Sequence, residues 1–272
     1  MIEKALLAAT AGVCGALIGG TPTFIMTGFA GILAAVLEAA GVDGGFYNET
    51  VMNVFFLPAI LFNGSVAATA YAARKYPING WESWRSLLFT NDPMVYLAGA
   101  LGGFGGYWVF SLAGYLGIPC DTGALTVLTI GLFCRLCLST GRKYNPEGRT
   151  LLARLPGKVW LSHIIMAGCV SFATGWFALK TGYYTIAFSI SALSLIFLII
   201  DPGFPVTHHI TITAGYAAMA TGNIWASLVF GIIAELLCYS FTILFNDKCS
   251  THLDPPAFAI FVCSLCLFVF FR

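Results

Sequence analysis

Long apolar runs, separated by short connections, fill almost the whole chain and constrain its fold more than any other feature. The runs are about 16 to 25 residues long, and a helix needs roughly 20 apolar residues to cross the hydrocarbon core of a bilayer. Charged residues make up only 9% of the sequence, too few to cover a water-soluble globule. We therefore predict an all-α polytopic membrane protein, a single transmembrane domain over residues 1–272 with about ten transmembrane or re-entrant helices in one bundle. The predicted spans are 4–20, 22–40, 50–74, 94–117, 122–139, 157–178, 182–200, 204–220, 223–246 and 255–271.

Net charge and the absence of known motifs limit which binding partners and cofactors are expected. A net charge of +1 without a basic patch predicts no nucleic-acid binding, so we expect the lipid bilayer and a small molecule or ion as partners. Glycine-rich helices also suit packing into a homo-oligomer. No phosphate-binding glycine loop or nucleophile motif is present, and we predict no cofactor, no bound metal and no enzyme activity. The Cys-x-x-Cys pairs at 134–137 and 263–266 lie in apolar runs, where small buried side chains are the expected reading.

Basic residues in the connections predict the orientation of the chain. The 139–158 connection holds five basic residues and one acidic residue, and the 74–92 connection holds three basic residues. We expect both to be cytoplasmic. The 41–49 and 118–121 connections hold acidic residues only and are expected on the opposite face. This pattern places both termini outside and predicts residence in the plasma membrane, with the first run retained because it lacks a small-residue cleavage site.

A cysteine pattern indicates internal duplication. Three cysteines recur after an offset of 129 residues, namely Cys120, Cys134 and Cys137 as Cys249, Cys263 and Cys266. We therefore expect repeat halves over 22–141 and 157–271, with broken helices and an inverted relation between the halves. At this offset the 76–92 stretch aligns with the 204–220 span, although it contains Glu82 and Arg85. It is expected to form a re-entrant or interfacial helix.

The segment 201–215 carries the strongest signal for a binding site. Two prolines and a glycine break the preceding helix, and a polar stripe then enters the membrane. A break of this kind frees backbone groups for an ion or solute, which is a recurring feature of transporters. The alternative is that the threonines bond to their own helix and the histidines lie among lipid headgroups. The predicted site residues of this stripe are Thr207, His208, His209, Thr211 and Thr213.

Glu235 is the acidic residue closest to the centre of a predicted span, midway along 223–246. A charged carboxylate at this depth costs several kcal/mol by some estimates, so it usually faces a cavity or a partner, or stays protonated. We expect Glu235 to bind substrate or a coupling proton, the alternative being a protonated structural carboxyl.

Other polar residues at membrane depth are weaker candidates. Asn63 follows Pro58, which is expected to kink its helix, and a role as a bond between helices is as plausible as a substrate contact. Thr23 and Thr27 follow a Gly-Gly-Thr-Pro break and are included in the predicted substrate site. Arg135 and His163 lie near span ends, where reaching toward the interface explains them.

These features predict a permease or secondary transporter for a small polar solute or ion, with Glu235 or a histidine taking up a proton during transport. A passive channel of the same fold is the first alternative, since helix breaks and threonines suit either class. A metal-dependent intramembrane enzyme using His208, His209 and Glu235 is a weaker alternative. Adjacent histidines point about 100° apart on a helix and do not readily bind one ion.

Overall fold

Helices account for the regular structure of residues 2–271, the part of the chain described by the computed structural model. Asp92, Asp121, Asn223 and Asp254 each cap a helix by accepting a backbone N–H with the side chain. The helices are α1 (Ile2–Ile18), α2 (Gly20–Ala39), α3 (Leu61–Ala72), α4 (Pro93–Tyr115), α5 (Thr122–Cys137), α6 (Gly148–Arg154), α7 (Gly157–Thr181), α8 (Tyr184–Leu193), α9 (His208–Thr221), α10 (Ile224–Phe241) and α11 (Pro255–Phe270). π-Helical turns form Tyr47–Phe55 and Thr242–Asn246, and 3-10 turns form Leu88–Thr90 and Ser194–Ile199.

Four helical segments are long and apolar enough to cross a membrane by length and composition. They are Gly20–Ala39, Pro93–Tyr115, Gly157–Thr181 and Ile224–Asn246, the last joining α10 to its π-helical turn. Large apolar side chains point outward from the bundle, among them Phe29, Leu101, Phe133 and Trp225. An apolar outer surface of this extent is typical of helices that face lipid.

The two parts of the chain pack in a matching order. In the first part α1, α3 and α4 contact one another and α5 packs on α3 and α4. In the second part α7, α9 and α10 contact one another and α11 packs on α9 and α10. The parts meet where α2 contacts α8 and where α5 contacts α11.

Burial on α5 and α11 follows one register. Six buried positions of α5 have a buried counterpart on α11 at an offset of 133 residues, beginning with Ala124 and Ala257 and ending with Cys134 and Leu267. The offset of 129 read from the cysteines is therefore four residues short of the register of the buried faces, about one helical turn.

Two predicted spans differ in the structure. The predicted 50–74 span is interrupted between Phe55 and Leu61, where Pro58 precedes the start of α3. The prediction of a helix over 76–92 is wrong, since only the short Leu88–Thr90 turn forms there. This connection instead runs inward along the bundle, where Ser83 accepts the backbone N–H of Gly20 and Gly80 pairs with Thr251.

Glycines allow α1, α3 and α4 to cross with their backbones in contact. A Cβ atom on Gly12 would fall against the backbones of Gly99 and Gly103, and one on Gly64 would fall against the backbone of Gly12. One turn after Gly12, Ala16 lies against Gly99. We call Gly12, Gly64, Gly99 and Gly103 the glycine crossing. Close crossings of this kind are characteristic of helices packed in membranes.

The connections define two ends of the bundle. At the basic end, Ser139 hydrogen-bonds with Ser250, Lys248 pairs with Glu147, and the 73–92 connection reaches the same segment through Gly80. At the acidic end, Glu38 and Asp121 line a common cavity with Asn48. The predicted grouping of connections on two faces thus matches their positions in the bundle.

Candidate functional site

Two cavities enter the bundle and meet at a shared wall. The basic-end cavity has a volume of about 260 Å³ and is lined by Ser83, Asn246 and His252 among others. The acidic-end cavity has a volume of about 680 Å³, enough for a small organic molecule. Four residues line both cavities and form the wall: Phe24, His208, Asp254 and Pro256.

Helix α2 runs past both cavities. Thr21 lines the basic-end cavity, Phe24 lines both, and Thr27 and Glu38 line the acidic-end cavity. At 1.5 Å per residue, Thr21 and Glu38 are about 25 Å apart along the helix, close to the hydrocarbon thickness of a bilayer. The cavities therefore follow one another along the long axis of a helix that is long enough to cross a membrane.

His208 occupies the centre of the wall as the first residue of α9. Its residue surface is 4% exposed, and both of its ring nitrogens are buried without a hydrogen-bond partner. The ring stacks on Phe24 with centroids 4.8 Å apart and meets Phe188 edge to face at 6.1 Å. A buried imidazole needs partners for its N–H and its lone pair, so His208 has unused hydrogen-bonding capacity beside both cavities.

Asp254 ends the segment 247–254 and caps α11. Its Oδ2 accepts the N–H of Ala257 at 2.7 Å, and its Oδ1 lies 3.1 Å from Nε2 of His252. His252 also donates its backbone N–H to Gly80, and its Nδ1 is buried without a partner. The break before α11 thus presents a carboxylate and an imidazole to the interior of the bundle.

Arg135 holds this segment in place. Its Nε donates to Oγ1 of Thr251 at 2.7 Å and its Nη2 donates to the Thr251 carbonyl at 2.6 Å, while Nη1 donates to the carbonyls of Phe245 and Lys143. The expectation that Arg135 reaches to the membrane interface is wrong, since the residue is 2% exposed. A planar guanidinium presents five donors on three nitrogens in a fixed fork, whereas a lysine has three donors on a single nitrogen and cannot reach all of these partners at once.

A second polar group, the His-Glu-His triad, lies behind the wall. Glu235 on α10 accepts two hydrogen bonds: Nδ1 of His163 on α7 lies 2.6 Å from Oε1, and Nε2 of His209 on α9 lies 2.7 Å from Oε2. Glu235 is 5% exposed. The rings of His208 and His209 are 5.9 Å apart, so the triad adjoins the wall. Of the four histidines of the chain, His208 lies in the wall, His252 pairs with the wall residue Asp254, and the other two belong to the triad.

The triad has a different counterpart in the first part of the chain. At the crossing of α10 and α7, a Cβ atom added to Gly231 would lie 2.7 Å from the Cβ of Ser171. At the crossing of α4 and α1, a Cβ atom added to Gly99 would likewise lie 2.8 Å from the Cβ of Ala16. Four residues further along, α4 continues with a glycine of the glycine crossing, whereas α10 continues with Glu235. The α7–α10 crossing therefore carries titratable groups one turn beyond its glycine contact, where the α1–α4 crossing continues with glycine.

The sequence-predicted residues fall into four groups in the structure. His208 and Thr27 line the acidic-end cavity, and His209 and Glu235 form the triad. Thr207 pairs with Ser191 through Oγ1 at 2.6 Å, outside both cavities. The remaining four residues are buried outside the cavities: Thr23, Asn63, Thr211 and Thr213. The side chains of the first three donate to backbone carbonyls of their own segments, and the Thr213 hydroxyl has no partner.

Sequence reasoning missed the wall residues Phe24 and Asp254 and the partner of Glu235 on α7, His163. The Asp-Pro-Pro run at 254–256 is a capping signal before an apolar run and could have drawn attention to Asp254. His163 carries no such signal, because its distance from Glu235 depends on how α7 packs on α10.

No metal centre accompanies these groups between residues 2 and 271, where no cluster of three or more His, Cys, Asp or Glu side chains is arranged to hold an ion. All nine cysteines are free thiols.

The helix lengths, the outward apolar surface and the buried polar groups define an all-helical protein of a type suited to a membrane. The chain belongs to a family described as a family of unknown function (DUF7973), whose model matches residues 1–144 and 147–271. The boundary between the matched segments falls between α5 and α6, where the two packing parts of the fold divide. No curated protein and no solved structure matches the chain.

Proposed function

We propose that the chain is a membrane transporter for a small polar solute or ion, located in the cell membrane, with the solute crossing the wall between the two cavities. The observation that carries the proposal is that cavities from opposite ends of the bundle share the same four lining residues. A site reached from both ends through a thin barrier is what alternating access requires. The stacked rings of Phe24 and His208 close the passage, which favours a carrier over an open channel.

The membrane arrangement we infer has about ten passes. Five elements precede the division of the fold and five follow it, if the short α6 is counted as part of a connection. An odd number of passes in each half inverts the second half relative to the first. The matching contacts of the two parts and the common register of α5 and α11 support duplicated, inverted halves. The basic end would be cytoplasmic, since lysine and arginine collect there.

Proton coupling is assigned to the His-Glu-His triad. With Glu235 ionised and both imidazoles neutral, the triad carries one negative charge in an apolar bundle, which is unfavourable. One added proton makes the group neutral overall. The groups that face Glu235 are His163 from α7 and His209 from α9, with Cys238 on its own helix. Proton uptake would alter the hydrogen bonds of α9, which also carries His208.

Thiol labelling from each side of the membrane tests the two-sided site. In a background without other cysteines, Cys238 reports on the basic-end cavity and Thr122→Cys on the acidic-end cavity, since each lines one of them. A membrane-impermeant thiol reagent is applied to oriented vesicles. Cys238 is expected to react from the cytoplasmic side and the cysteine at position 122 from the outside. A variant that keeps Cys263 as its single cysteine is the control. Cys263 is buried and lines neither cavity, so it is expected to stay unmodified.

The outcomes separate the alternatives. If both cysteines react from one side only, the cavities do not open to opposite faces and the transporter proposal fails. If both react equally fast from either side, an aqueous pore runs through the wall and the passive channel takes its place.

A further inference from the structure

The charges that line the two cavities have one sign. Glu38, Asp121 and Asp254 are on the acidic-end cavity, and Asp254 is also on the basic-end cavity. Along residues 2–271, no lysine or arginine lines either cavity, although the chain has 13 basic and 12 acidic residues. Because the charged side chains described along this pathway are all carboxylates, the pathway attracts cations and repels anions.

The carboxylates are fixed by hydrogen bonds that suit their ionised form. Asp121 accepts the N–H of Ala124 through Oδ1 at 2.8 Å and the hydroxyl of Tyr216 through Oδ2 at 2.6 Å. Asp254 accepts the N–H of Ala257 in the same way. Each carboxylate oxygen has two lone pairs, so acceptor capacity remains for a ligand in both residues.

Aromatic rings form the apolar part of the acidic-end cavity. Phe24, Phe188, Tyr184 and Tyr216 all line it, and the last two rings are 5.6 Å apart. Aromatic faces attract cations through their negative quadrupole, most strongly where water is excluded. A strongly hydrated inorganic ion gains little from such walls, whereas an organic ammonium group fits carboxylates and rings together.

His208 supplies an independent indication of a ligand. It is more than nine-tenths buried, lines the cavity, and has both ring nitrogens without a partner. A neutral imidazole offers one donor and one acceptor. A ligand with a hydroxyl or an N–H group would satisfy it at the wall, next to Asp254.

We propose that the acidic-end cavity binds a small organic cation, an amine or quaternary ammonium compound, with its charge between Asp121 and Asp254 and its polar group at His208. This inference rests on the proposed transport function, for which it names the substrate class. Glu38 lies exposed at the mouth and increases the local concentration of cations.

The test compares ligands that differ only in charge. The purified full-length protein in detergent is heated with choline and with 3,3-dimethylbutan-1-ol, the uncharged analogue in which carbon replaces nitrogen. Choline is expected to raise the unfolding temperature in a saturable way, because binding to the folded state stabilises it. The uncharged analogue is expected to have no effect at the same concentrations. Tetramethylammonium, methylammonium and sodium acetate complete the series.

Asp254→Asn and Asp121→Asn locate the site. Asparagine also caps helices, so both variants can keep the bond to the helix N-terminus, while they lose the charge and one acceptor oxygen. The half-saturating choline concentration is expected to rise by about tenfold in each, which corresponds to a loss of about 1.4 kcal/mol in binding free energy. Glu147→Gln, an exposed carboxylate at the basic end, is the matched control and should bind as the unchanged protein does.

Equal stabilisation by the uncharged analogue, stabilisation by acetate alone, or no shift with any of the cations would overturn the inference. None of these results would change the outcome of the thiol labelling, which tests the two-sided site separately. A two-sided site without cation binding would keep the transporter and discard its substrate class.

Discussion

Nε2 of His209 lies 2.7 Å from Oε2 of Glu235, and this bond joins α9, which begins at the wall, to the centre of α10. Because His163 bonds to the other oxygen, Glu235 connects three helices. Glu235→Gln keeps the shape, and its amide can accept from one imidazole and donate to the other. We expect it to change the free energy of unfolding by about 1 kcal/mol or less. Glu235→Ala leaves a cavity and two unpaired imidazoles and is expected to cost about 2 to 5 kcal/mol. Denaturant unfolding in detergent measures both, and equal losses would contradict a bonded triad.

Arg135→Lys tests the anchoring of the 247–254 segment. Lysine retains the charge and loses the planar donors that reach Thr251 and Phe245. The expected cost is about 2 to 4 kcal/mol, since hydrogen bonds from charged groups contribute about 1.5 to 3 kcal/mol each. Hydrogen exchange should accelerate in residues 247–254 before it does elsewhere. The exposed Arg142→Lys is the control, and unchanged exchange in both variants would remove the anchoring role.

Gly103→Ala should disrupt the glycine crossing, because the new Cβ would fall against the carbonyl oxygen of Ala8. Overpacking of this kind costs about 1 to 3 kcal/mol. Gly105→Ala, two residues along the same helix, is the matched control. Its Cβ would meet only Ile130 at 3.5 Å, an ordinary contact, and alanine favours the helix by up to about 1 kcal/mol. The unfolding temperature should therefore fall in Gly103→Ala and rise in Gly105→Ala.

Asp92, at the basic end of the bundle, makes the stability of the folded protein depend on pH. The N–H of Met94 and then the Lys75 ammonium lower the pKa of this carboxyl below its ordinary value. A lowered pKa in the folded state stabilises the protein above the ordinary value of about 3.9, and the contribution disappears as the pH falls through the lowered value. The difference in unfolding temperature between the unchanged protein and Asp92→Asn should narrow from pH 7 to pH 3. A difference that stays constant over this pH range would contradict the stabilising role of the Asp92 carboxylate.

The helical class could be predicted from the sequence, and Glu235 and His208 could be singled out as candidates, because both signals are local. An apolar run defines a span by its length, and a carboxylate at its centre is conspicuous. The triad and the wall depend on contacts between residues far apart in the chain, such as Phe24 with His208, and no local pattern encodes them. The 76–92 helix was predicted from an alignment of repeats one turn out of register, and its charged residues belong to a connection.

Arg135 is a second case in which a contact between distant residues could not be predicted from the local sequence. A basic residue near the end of an apolar run normally extends to the headgroups. Here the chain returns at Thr251 to meet it, which the sequence near Arg135 does not reveal.

The glycine crossing has a mechanical consequence for any cycle of movement. A joint made of backbone in contact with backbone has no side chain that can rotate, gain a proton or admit water, so α1, α3 and α4 form a fixed frame. In the proposed mechanism, the corresponding joint around Glu235 changes its protonation and its hydrogen bonds. We therefore expect conformational change to be confined to the second half of the chain, while the first half stays fixed.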